Sequence, residues 1–121
     1  MERVLVTGVA GFIGSHVASR FLREGYTVVG VDDLSGGRLE NVRAGVEFIE
    51  GDLAEKSTVS RIPKGGRKIL HRVVQSSGEI SFDDPVADLE KNTVSTLNLI
   101  RYGIDNEAER FLYASSMSVY G

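Results

Sequence analysis

Apolar residues along this chain form short unbroken runs. Between the runs lie stretches where they return every third or fourth position. Arg3–Thr7 (RVLVT) is β-branched and stops at glycine, which predicts a buried strand. Phe12–Glu24 follows, with Ile13, Val17, Ala18, Phe21 and Leu22 at helical spacing and Arg20, Arg23 and Glu24 on the other face. Gly25 is its stop signal. Thr27–Val31 (TVVGV) predicts a second strand ending at Asp32-Asp33, and Val46–Glu50 a third ending at Gly51-Asp52. Leu53–Ile62 reads as a short helix or turn before Pro63. Lys68–Val74 contains a fourth strand. Asp84 is a candidate cap with Pro85 at the first helical position. Val86, Leu89, Thr93, Leu97, Ile100 and Ile104 then recur at helical intervals, and Arg110–Ser115 (RFLYAS) predicts a fifth strand.

Apolar strands alternating with helices imply a parallel sheet covered on both faces. Right-handed crossovers then give an α/β, Rossmann-like doubly wound fold: three layers, about five strands, order 3-2-1-4-5. Residues 1–121 suffice for one such domain. The fifth strand would be an edge, and exposed edges invite pairing, so a homodimer is one expectation. Pro63–Lys68 (PKGGRK) is the one shift in composition, and it reads as a solvated basic turn.

Composition narrows the chemistry. Apolar residues are 41% and charged residues 26%, which is globular rather than disordered. Seventeen acidic against 14 basic residues give a net charge of −3, so no footprint for nucleic acid or an anionic membrane is expected. The absence of cysteine excludes disulfides and thiolate chemistry. His16 and His71 lack metal-ligand spacing, so no metal site is expected. No run is long and apolar enough for a membrane span, and the first residues lack the features of a secretory signal, so a cytoplasmic location is expected.

The loop Thr7-Gly8-Val9-Ala10-Gly11-Phe12-Ile13-Gly14 joins the first strand to the first helix. Gly8 permits the tight turn, Gly11 lets backbone approach a pyrophosphate, and Gly14 lets helix and strand pack closely. The helix-start amides at Phe12 and Ile13 would then face the phosphates. Asp32 ends the next strand, where a carboxylate accepts from a ribose hydroxyl and repels a 2′-phosphate. NAD is therefore the expected cofactor, ahead of NADP. Arg38 could receive a 2′-phosphate, although a surface arginine is the plainer reading.

These residues resemble the extended short-chain dehydrogenase/reductase family, specifically its NAD-dependent nucleotide-sugar epimerases and dehydratases. The resemblance rests on TGVAGFIGSH at Thr7–His16, DDLSGG at Asp32–Gly37, GDL at Gly51–Leu53, DDP at Asp83–Pro85 and SSMSVYG at Ser115–Gly121, in the family's order. It implies that Asp33, Ser35 and Gly36 line the ribose and that Asp52, beside Leu53, contacts the adenine. It implies that Ser116 is the catalytic serine, with Ser115 next to it at the carboxyl end of the fifth strand. Such a hydroxyl can orient a substrate alcohol for proton removal.

Two departures qualify the resemblance. The family's base is a Tyr-x-x-x-Lys pair, and no such pair occurs in these residues. Tyr120 matches the tyrosine of the VYG turn instead. The reading is therefore the cofactor-binding portion of an epimerase or dehydratase, without its substrate domain and not competent alone; a nucleotide sugar would be the substrate of a full-length relative. Second, the family places small residues along its fourth strand for the cofactor to lie against, where this chain has His71-Arg72-Val73-Val74. An arginine buried unpaired on a central strand would be costly, so Arg72 should point outward or the stretch be rearranged. The family's histidine at His71 is more often structural than catalytic. Two rivals remain: a non-catalytic dinucleotide sensor, and a folded remnant that binds nothing.

Overall fold

A computed structural model describes residues 2–72 and 85–114, with side chains from 2 to 71 and from 93 to 112. The chain forms β1 (Arg3–Thr7), α1 (Phe12–Arg23), β2 (Thr27–Asp32), a 3-10 turn (Leu39–Asn41), β3 (Glu47–Glu50), α2 (Lys56–Ser60), β4 (Gly66–Arg72), α3 (Pro85–Asp105) and β5 (Arg110–Ala114). The five strands form one sheet in the order β3-β2-β1-β4-β5. Every pairing is parallel. The expected topology is therefore the observed one.

The period-two geometry of a strand explains the layering. Val4 and Val6 of β1 point to one face, where they meet Val28 and, from α1, Ala18. Leu5 points to the other, joining Val29, Val31, Ile69, Leu99 and Tyr102 beneath α3. Both faces are covered, so β1 needs apolar residues at consecutive positions, and Val4, Leu5 and Val6 are fully buried. With α1 on one side and α2 and α3 on the other, the molecule has three layers.

One local expectation is narrowed and two change. The segment Leu53–Ile62 keeps helix only over Lys56–Ser60. The recurrent α3 positions Leu97, Ile100 and Ile104 are 56%, 41% and 72% exposed, whereas Leu99 and Tyr102 are buried. Pro63–Lys68 is not a free solvated turn, because its last three residues open β4. The Tyr102 hydroxyl accepts from the Gly66 amide at 3.0 Å and donates to the Pro63 carbonyl at 2.7 Å. Burial pushes the Tyr102 phenol above its ordinary value. A Cβ at position 66 would stand 2.5 Å from that hydroxyl oxygen, which explains the glycine. The register against β1 runs from Arg3↔Gly66 to Val4↔Lys68, so Arg67 is an extra residue accommodated as a bulge. Lys68 then lies over the Tyr26 ring and donates to its hydroxyl at 2.9 Å.

Candidate dinucleotide site

The glycine loop leaves the carboxyl end of β1, at the centre of the sheet. Gly8 takes φ +67°, a left-handed conformation that glycine adopts without penalty. The Gly11 amide closes the turn onto the Gly8 carbonyl at 3.1 Å. Gly14 sits against that same carbonyl: a Cβ there would be 2.0 Å from the Gly8 oxygen. The close helix–strand approach expected from the sequence is therefore present. The Ser15 amide donates to the Gly11 carbonyl at 2.9 Å as α1 begins. The amides of Phe12, Ile13 and Gly14 precede that bond and have no acceptor one helical turn back. The first turn of α1 carries no acidic residue to compete for them. The Phe12 side chain is 75% exposed, its ring edge-on to His16.

Asp32 ends β2 beside this loop. Its Oδ2 accepts from the Ala10 amide at 2.9 Å, and its Oδ1 accepts from the Leu34 amide at 2.8 Å. The carboxylate thus holds the glycine loop as well as its own turn, a task that the sequence reading did not give it. Each oxygen keeps a further lone pair for a hydroxyl donor. Asp33 Oδ1 accepts from both the amide and the hydroxyl of Ser35. Leu34 between them sits at φ +64°, a conformation that L residues rarely adopt. Gly36 is exposed, and Arg38 is an exposed surface residue 3.8 Å from Glu40. The Gly51 amide donates to the Asp32 carbonyl, tying the end of β3 to the end of β2. Asp52 follows and caps its own turn through Ala54, while Leu53 packs against the α3-side core. The glycine loop, Asp32–Gly36 and Asp52 therefore share one rim, at the carboxyl ends of three adjacent strands.

His71 lies on β4 in the buried layer next to β1. Its Nδ1 is 2.8 Å from the Thr7 hydroxyl and its Nε2 is 3.2 Å from the Thr96 hydroxyl. Burial lowers its pKa from 6.5 to about 4, so the ring is neutral at pH 7. It links β1, β4 and α3, in keeping with a structural histidine. The sequence alone did not pair His71 with Thr7 or Thr96, because a threonine in a strand or a helix carries no signal of a partner across the fold.

Ser115, Ser116, Val73 and Val74, together with the Asp84 cap, lie outside the described residues, as does the side chain of Arg72. Among the described residues no group of three or more His, Asp or Glu could hold a metal ion. No described helix is long and apolar enough to cross a membrane.

Residues 4–121 match the sequence profile of the family described as "NAD dependent epimerase/dehydratase family". The chain is 36% identical over 126 residues to the UDP-glucose 4-epimerase of Mycolicibacterium smegmatis, covering 98% of this chain and 40% of that protein. It is 31% identical over 120 residues to UDP-glucuronic acid decarboxylase 1 of Danio rerio, covering 99% of this chain and 28% of that protein. The crystal structure of Thermus thermophilus UDP-glucose 4-epimerase in complex with NAD superimposes with a TM-score of 0.78 at 39% identity, over 90% of this chain and 36% of that one. The chain thus spans two-fifths or less of the length of these relatives.

Proposed function

The chain belongs to the NAD dependent epimerase/dehydratase family, and from that premise we propose that it is the NAD-binding portion of a nucleotide-sugar enzyme of the UDP-glucose 4-epimerase type, cytoplasmic in location. One observation carries the reading: the glycine loop and the Asp32 carboxylate stand on one rim, bonded to each other through Ala10. The residues suit a dinucleotide. Gly11 leaves no side chain where a pyrophosphate would approach, Gly14 lets α1 pack against the loop, and the amides of Phe12 and Ile13 open α1 with no acceptor one turn back. Asp32 would accept from the adenosine ribose, flanked by Asp33, Ser35 and Gly36, and its charge disfavours a 2′-phosphate. Asp52 and Leu53 would border the adenine, and Val73, Val74 and Ser115 would border the nicotinamide half.

Bound there, a nicotinamide dinucleotide supplies a hydride acceptor and donor. What this chain adds is placement. The loop amides fix the phosphates, and the Ser116 hydroxyl would orient a sugar alcohol at the carboxyl end of the sheet. Relatives named as an epimerase and as a decarboxylase both match over nearly the whole of this chain. The choice of reaction therefore belongs to residues other than the rim described above.

Calorimetric titration of the chain with NAD and NADP tests the proposal. NAD is expected to bind and NADP to bind more weakly, with NMR shifts at Gly8–Gly14 and Asp32. No binding of either nucleotide would leave only the reading of a folded remnant. Equal affinities would contradict the role given to Asp32.

A further inference from the structure

Ala10, in the middle of the glycine loop and fully buried, has its two backbone polar groups held by the last residue of β2 and by the segment that follows it. Its amide donates to Asp32. Its carbonyl accepts from the Arg38 amide at 3.1 Å and from Asn41 Nδ2 at 3.1 Å. Gly37 lies directly against this group, since a Cβ there would stand 2.7 Å from the carbonyl carbon and oxygen of Ala10. The 3-10 turn places Asn41, whose own amide returns to the Arg38 carbonyl at 2.9 Å.

Holding a carbonyl fixes the whole peptide plane. The Ala10–Gly11 peptide has its oxygen turned toward Arg38 and Asn41, and its N–H accordingly turned to the Gly8 carbonyl. Gly11 is the N-cap of α1, so the orientation of this peptide sets the aim of the amides that follow it. We infer that Asn41 is a positioning residue for the phosphate-binding loop, acting through the carbonyl of Ala10. The inference rests on the dinucleotide reading above. It adds that the turn beside the adenosine ribose and the loop beneath the pyrophosphate form one unit, latched at Ala10.

The exposed position of Asn41 permits a clean test. Asn41→Leu keeps about the size of the side chain, removes its donor and adds no charge near the phosphates. The affinities of adenosine, ADP and NAD for the wild-type chain and the variant are measured by calorimetry. A neutral hydrogen bond lost at the latch predicts that ADP and NAD bind about fivefold more weakly, while adenosine changes by less than about twofold. An unchanged ADP affinity, or an equal loss for adenosine and ADP, overturns the inference. If the variant fails to fold, hydrogen exchange in the wild-type chain decides. ADP, but not adenosine, should slow exchange at the Arg38 and Gly11 amides, and no ADP-specific slowing overturns the latch. Wild-type chain that binds neither ADP nor NAD overturns the dinucleotide reading itself, a result distinct from binding that Asn41→Leu leaves intact.

Discussion

Asp32 Oδ2 accepts the Ala10 amide at 2.9 Å, so the carboxylate that ends β2 secures the loop that ends β1. The same group accepts from Leu34 through its other oxygen. Asp32→Asn leaves one acceptor oxygen for two amide donors and turns an NH2 group toward one of them. A part-buried donor left unsatisfied costs about 1–3 kcal/mol. The variant should be less stable by that amount in urea unfolding, and its preference for NAD over NADP should narrow in calorimetric titration. Unchanged stability would show that the clamp carries no energy.

Gly14 and Gly25 separate two reasons for being glycine. A Cβ at position 14 meets backbone, the Gly8 oxygen at 2.0 Å, which no rotamer change relieves. Overpacking of this kind costs about 1–3 kcal/mol or more and shifts the glycine loop. At Gly25 nothing lies within 4 Å, and only φ +91° opposes a side chain, at about 1–2 kcal/mol. Both alanine variants should melt earlier than wild type. Only Gly14→Ala should also lose NAD affinity. Equal binding losses would mean that the close approach at Gly14 is incidental to the site.

His71 should make stability depend on acid. Its folded pKa is about 4 against 6.5 unfolded, so between those values the unfolded chain holds more protons. The neutral ring stabilises the fold fully above pH 6.5, and that contribution is lost as the pH falls toward 4. Its limit is about 3 kcal/mol. Urea midpoints measured from pH 7 to pH 4 should fall in wild type and fall less steeply in His71→Gln. Parallel slopes for the two proteins would assign the acid sensitivity to the carboxylates.

The centre of the sheet was legible because β1 and β2 are buried on both faces. That forces continuous apolar runs such as Val4-Leu5-Val6, and the glycines that end them mark the turns. The loop at Gly8, Gly11 and Gly14 was legible for the same kind of reason, since each glycine meets a steric demand of its own. The latch on Ala10 was not. Asn41 is an ordinary loop residue in the sequence, and its partner lies 31 positions away. Gly66 was also misread, because only the Tyr102 hydroxyl across the fold explains it. Helical periodicity placed α3 correctly but not its buried side, as Leu97 and Ile104 face outward while Leu99 is fully buried. Spacing shows that an apolar face exists, and neighbouring elements decide which positions it covers.

The 121-residue chain made by itself should not turn over a nucleotide sugar, although its rim suits the cofactor. Oxidising a sugar alcohol requires its proton to leave as the hydride departs. A positioned base contributes about 10²–10⁴-fold to such a step. In the family that base is the tyrosine of a Tyr-x-x-x-Lys pair; none of Tyr26, Tyr102 or Tyr113 has a lysine four positions on, and Tyr120 matches the tyrosine of the VYG turn instead. His71 cannot stand in, because its ring is buried and both nitrogens face threonine hydroxyls. A serine hydroxyl such as that of Ser116 is a poor base at neutral pH. Orientation of the sugar would also be lacking, and it can be worth several kcal/mol more. The purified chain, incubated with NAD and a panel of UDP-, GDP- and dTDP-sugars, should yield no epimer, no dehydrated or decarboxylated product and no NADH above a protein-free control. The same preparation should still bind NAD in the calorimeter. Any of those products above the control would place a working base within these 121 residues and overturn the prediction.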